Sequence, residues 1–193
     1  MNVGVMRLVV LGAICVVLTG CSAVASPGLD GESGRMNMQE AASRADLMLD
    51  DTFAAIKPEV VWTHGVTTAG SCDLSRRRTV MTEISEQRRG ALLGLIDRFW
   101  RKSGYEITAV NNSEEFPAVY AKSVDGFGIS LSIGGKGQAF FEVATPCVEG
   151  SAVAEPTTKP NGPDYRGGPI PRPNVRSDFW SAESSGQPSP SAP

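Results

Sequence analysis

An apolar run near the N-terminus constrains this chain more than any other feature. Residues 8–18 read LVVLGAICVVL, and Arg7 is the only charged side chain before Asp30. A run of about 11 residues is well short of the ~20 a helix needs to cross a bilayer. It fits the hydrophobic region of a secretory signal, with Arg7 as the basic flank. Leu18-Thr19-Gly20-Cys21 follows, an apolar residue and two small residues before a cysteine. That is the pattern of a bacterial lipobox. It predicts removal of residues 1–20 and a diacylglycerol-modified Cys21 as the new N-terminus. Each buried methylene of an acyl chain contributes ~0.8 kcal/mol, so two or three chains such as palmitate anchor stably. The expected location is the outer face of the bacterial cytoplasmic membrane, extracytoplasmic and lipid-anchored.

Export decides how the cysteines are read. Of the four, Cys15 leaves with the signal and Cys21 carries lipid, which leaves Cys72 and Cys147. An even remainder in an oxidising compartment predicts a disulfide. Its loop would constrain the unfolded chain by about 4 kcal/mol. A nucleophilic cysteine or a metal thiolate competes with this reading. Neither thiol, however, has a histidine or second cysteine at ligand spacing. The formal charge of −3 and pI near 5.3 argue against a nucleic-acid partner. The single histidine, His64, excludes His-rich metal sites and multi-histidine catalysis.

Residues 21–36 are small, polar and Gly-rich, and they predict a flexible tether with a mean span of about 20 Å. A domain over 37–150 follows. Asn37 with Glu40 three residues on makes a capping box. Met38, Ala42, Ala45, Leu49, Phe53 and Ile56 then recur at helical spacing until Pro58. Val60–Thr68 is β-branched and aromatic and reads as a strand. Arg76–Ile84 reads as a second strand, whose three arginines would oppose edge pairing with another chain. Ser85 caps a second helix with a stripe of Leu92, Leu95, Ile96 and Phe99, and Gly104 ends it. Gly90 and Gly94 each cost about 1 kcal/mol relative to alanine there; close helix-on-sheet contact would explain them. Four strands follow: Tyr105–Val110, Ala118–Ser123, Phe127–Ile133 and Gln138–Thr145. Tight turns at Asp125-Gly126 and at 134–137 join the last three.

The order α-β-β-α-β-β-β-β predicts an α+β two-layer sandwich, an antiparallel sheet with two helices on one face and one disulfide. Nine of the thirteen prolines fall after residue 148. Residues 151–193 therefore read as a disordered tail, with Phe179-Trp180 as the one pair able to dock.

The lipobox ending in Cys21, Trp62 in the first strand and Cys72 after a short turn resemble the LppA-type lipoproteins of mycobacteria and other actinobacteria. The second helix, the Gly126–Leu131 stretch and Cys147 also fit, and the likeness covers about two thirds of the chain. It implies an exported, membrane-tethered domain. It brings no reaction and no catalytic residues.

Several residue groups are of a type that can carry chemistry. His64 shares a strand with Trp62 and Val66 and lacks a Gly-x-Ser-x-Gly partner motif, which favours a packed histidine. Glu114-Glu115 is a carboxylate pair in a loop, where solvation is the simpler reading. Gly134-Gly135-Lys136-Gly137 lacks the length and the following helix of a phosphate loop. Arg76, Arg77, Arg78, Arg88 and Arg89, with Arg98 and Arg101, form a candidate basic patch for anionic headgroups or wall polymers. Ser130, Ser132 and Phe140, beside Gly128 and Glu142, form a candidate smooth sheet face for a ligand or protein. The expected function is a non-catalytic ligand- or protein-binding domain on a membrane lipoprotein. No catalytic residue, cofactor or metal is assigned, and the partners expected are the membrane and an envelope protein or anionic polymer. The alternative is a cell-envelope hydrolase using carboxylates.

Overall fold

Asn37 starts the first helix as its sequence requires. Its side chain accepts from the Glu40 backbone N–H at 3.0 Å, and the Glu40 carboxylate accepts from the Asn37 N–H at 2.9 Å. Helix α1 then runs Met38–Ala54 and buries Met38, Ala41, Ala42, Ala45, Met48, Leu49, Thr52 and Phe53 along one stripe. The structure, a computed structural model, describes residues 35–183. The expected signal, Cys21 and the expected tether before residue 35 lie outside the described residues, as do residues 184–193. Among the described residues no helix is long and apolar enough to cross a membrane.

The six expected strands appear as seven, because the stretch read as one strand over Val60–Thr68 is broken between His64 and Thr68. They are β1 (Trp62–His64), β2 (Thr68–Ala69), β3 (Leu74–Val80), β4 (Glu106–Asn111), β5 (Ala118–Lys122), β6 (Gly128–Ile133) and β7 (Ala139–Ala144), with α2 (Glu86–Lys102) between β3 and β4. All pair antiparallel in the order β1-β3-β7-β6-β5-β4, with β2 also on β3. The last four strands form a meander, as short loops dictate. Period-2 alternation turns Ile129, Leu131, Ile133, Phe141 and Val143 toward the helices. Helix α1 covers β3 and β7, while α2 covers β4 to β6. The layers meet through Phe53 on Phe141, with ring centroids 4.8 Å apart, and the two helices are joined by Trp100 Nε1, which donates to Thr52 Oγ1 at 3.1 Å. The fold is therefore the α+β two-layer sandwich. Cys72, in the turn before β3, is bonded to Cys147, just after β7, across a Cα–Cα distance of 4.8 Å.

Gly137 shows why the last hairpin needs its glycines. Its φ is +71°, and a Cβ there would stand 2.0 Å from the Ile84 carbonyl oxygen.

Three expectations are corrected. The arginine-bearing strand is interior, between β1 and β7, so its charges guard no edge. Gly90 and Gly94 do not bring α2 close to the sheet, because a Cβ at Gly90 meets nothing within 4 Å and one at Gly94 meets only Arg98.

The third correction is the largest. Residues 151–183 do not form a disordered tail; they wrap the domain. Ala154 N donates to Gln39 Oε1 at 2.6 Å, beside α1. Asn161 then closes the outer edge of β1, accepting from Trp62 N at 2.9 Å and donating to Val60 O at 3.0 Å. Tyr165 N donates to Thr63 Oγ1 on the outer face at 3.3 Å. Trp180 re-enters the core at 1% exposure, with Nε1 donating to Pro58 O at 2.6 Å. Ser85 sits at the N-cap of α2, but its hydroxyl donates to Ala182 O instead of capping the helix. An extended, proline-rich segment gains order here through side chains that replace a strand partner.

Candidate functional site

The sequence candidates do not converge. Arg76 and Arg78 share the pleat face of Val80 and point at α1, so they are buried to 2% and 1% exposure. They meet Asp46 and Asp50, which stand one helical turn apart on α1. Arg76 Nε lies 3.4 Å from Asp46 Oδ1, and its other nitrogens donate to Thr67 Oγ1 and Ala154 O, each at 2.6 Å. Arg78 bonds Asp50 and lies 4.0 Å over the Trp62 ring. Burial acts against the charge of both sides: it raises the Asp46 pKa despite Arg76 and Arg78, and it lowers that of Arg78 despite Asp50. Thr158 Oγ1 donates to Asp50 Oδ2 at 2.9 Å, so the wrapping segment completes the network. Such a cluster anchors chain segments; it presents no basic surface to a polymer. Removing one member would strand a buried charge, which typically costs 3–5 kcal/mol.

Arg77 projects to the opposite face and grips Glu142 with two bonds, at 2.9 and 2.8 Å. The row continues through Ser130, and the neighbouring row joins Phe140 and Ser132. The outer face thus holds Ser130, Ser132 and Phe140 together, with Phe140 folded against Gly134. Arg88 lies 4.3 Å over the Phe179 ring, and Arg89 lies on α2 beside Glu86. The predicted basic patch is therefore split among the core, the outer face and α2.

His64 is buried, and its Nε2–H donates to Thr158 O at 2.7 Å. Its ring stands edge-on to Trp62, with centroids 5.1 Å apart, while Val66 turns to solvent. Burial pushes the imidazole pKa down, and Arg78 and Arg166 add to this against the Thr158 bond. Among the described residues no three His, Cys, Asp or Glu side chains are grouped as metal ligands.

A concavity lies elsewhere, between α2 and the end of β4. The chain reverses at Ser103–Tyr105, where Tyr105 N donates to Trp100 O at 2.9 Å, so β4 runs back along α2. Between them is a groove of about 840 Å³. Leu93, Val110 and Val119 give it apolar walls, and Arg89, Asn111, Glu114 and Glu115 give it a polar mouth. Gly90 and Gly94 also line it, so a side chain at either position would narrow it. Arg89 Nη1 donates to Glu114 O at 3.5 Å and ties the 112–116 loop to the helix. Among the described residues strand β4 has only β5 as a neighbour, and Val110 is 53% exposed. The register shifts between Ile107 and Ala109, a bulge that leaves 109–111 as the regular part. Sequence reasoning missed this groove. Its signal was the pair Gly90 and Gly94 on an otherwise strong helix.

No protein-family model, no curated protein and no solved structure matches the chain.

Proposed function

We propose that this chain is a lipid-anchored extracytoplasmic lipoprotein of the LppA-like type. Its α+β domain binds a protein partner without catalysing a reaction, and the working surface is the β4 edge with the α2 groove. One observation carries the surface assignment. Among the described residues the chain closes one sheet edge with its own segment, through Asn161 on β1, and leaves the other open beside a groove of about 840 Å³. Sheet edges template pairing and are ordinarily blunted, so an edge left open beside a partly apolar groove fits a partner surface. The tether and Cys21 supply the reach and the anchor.

The test places a photo-crosslinking residue at Val110 in the full lipoprotein, with Val66 near the other edge as the control. Both side chains are well exposed. Crosslinking to a defined protein from position 110 alone is the expected result. Equal crosslinking from both positions, or none from 110, contradicts the surface assignment. In parallel, Cys21→Ala should abolish labelling by radioactive palmitate and move the protein out of the membrane fraction. Unchanged labelling would contradict the anchor.

A further inference from the structure

The open edge carries opposite charge at its two ends. Because β4 runs back along α2, the start of the helix lies beside the end of the strand. That end exposes Glu86, Glu114 and Glu115, with Arg89 drawn in beside Glu86 to 12% side-chain exposure. The other end joins the close of α2 to the start of β4. It exposes Arg101 and Lys102, with Asp97 bonded to Arg101 at 3.0 Å and Glu106 opposite Lys122, while the Arg98 guanidinium reaches back beside Gly94 in the groove. Val110 and Phe116 add exposed apolar surface along the same edge.

We propose that β4 pairs with β4 of a second copy of this chain, antiparallel about a two-fold axis, so that two sheets join edge to edge. This rests on the reading of the β4 edge as the working surface and names its occupant. The backbone groups of an open edge are satisfied by another strand. A two-fold axis across the edge sets the acidic end of each protomer against the basic end of the other, twice, because the interface is isologous. Parallel pairing would bring like ends together, and a uniformly basic peptide would match one end and oppose the other. The bulge at Thr108 places the pairing on 109–111 and brings the two Val110 side chains into the interface. Exposed ion pairs are each worth ~0–1 kcal/mol, so the charges select orientation while strand pairing and apolar burial hold the dimer.

The test measures sedimentation of the full lipoprotein in excess detergent, as wild type and as two charge-reversed variants. The wild type should sediment as a dimer at about 100 µM protein and dissociate more readily as salt rises. E114K/E115K and R101E/K102E should each weaken self-association at least tenfold, about 1.4 kcal/mol, because like ends now meet. An equimolar mixture of the two variants should recover a dimer. A monomeric wild type at that concentration overturns the proposal, and so do variants that dimerise like the wild type. A monomer whose Val110 probe crosslinks another envelope protein overturns the second copy and leaves the protein-binding reading intact. A monomer without crosslinks overturns both.

Discussion

Replacing Trp180 by alanine should unfold the chain far more easily than its place in a proline-rich C-terminal segment suggests. The indole is 1% exposed, belongs to the same buried cluster as Trp62, Ile84 and Trp100, and donates to Pro58 O at 2.6 Å. Truncating a buried Trp to alanine typically costs ~3–5 kcal/mol, including the cavity it leaves. Removing the donor also leaves the Pro58 carbonyl short of a partner, with a typical penalty of ~1–3 kcal/mol that overlaps the first figure. A value of about 4 kcal/mol is expected, a large part of the ~5–15 kcal/mol that holds a domain together. At ~2–4 °C per kcal/mol for a domain of this size, Tm should fall by about 8–16 °C. The assay is thermal unfolding of the full chain followed by near-UV circular dichroism. Phe179→Ala is the internal control. That ring is 37% exposed and sits edge-on to Trp180 beneath Arg88, so its loss should cost under ~1.5 kcal/mol. A Trp180→Ala chain melting within about 2 °C of wild type would refute the packed C-terminal segment.

Two further perturbations test the other supports. Cys72→Ser opens the link between the β3 turn and the end of β7, and should lower stability by about 4 kcal/mol on the chain-entropy argument; identical urea midpoints for reduced and oxidised wild type would contradict this. His64, with its folded pKa below the unfolded value, has a defined sign: it costs nothing above about pH 6.5, and below that the unfolded chain takes up a proton that the folded site resists. Stability should therefore fall as pH drops from 7 toward 5. His64→Gln, which can still donate to Thr158 O, should flatten that slope. Asp46, whose pKa is raised by burial, acts with the opposite sign in both proteins and cancels in the comparison. Equal slopes would contradict the buried neutral imidazole.

Local patterns were legible where local physics decides. The Asn37–Glu40 capping box, the stripe of α1 and the alternation of Phe127–Ile133 each appear where the residues indicate. The pairing of Cys72 with Cys147 followed from arithmetic once export was assumed. What failed depended on contacts distant in sequence. Arg76 and Arg78 share the parity of Val80, which already pointed them inward, but three adjacent arginines read as a solvated strand. Their partners Asp46 and Asp50 lie on α1, and nothing local connects them. Composition likewise describes residues 151–183 as unable to build a core of their own. They build none; they borrow the core through Trp180 and the β1 edge through Asn161. Gly90 and Gly94 are costly in a helix, and they line an open groove where a close contact was expected.

The central claim is that this domain works through the β4 edge. Backbone amide exchange of the full chain tests it most directly, comparing native membranes with dilute detergent solution. Occupation of the edge predicts slower exchange in membranes over 105–117 and along the Gly90–Gly94 face of α2, with β6 and β7 unchanged. Slowing confined to Arg77, Ser130, Ser132 and Phe140 on the outer face, or no difference at residues 109–111, would contradict it.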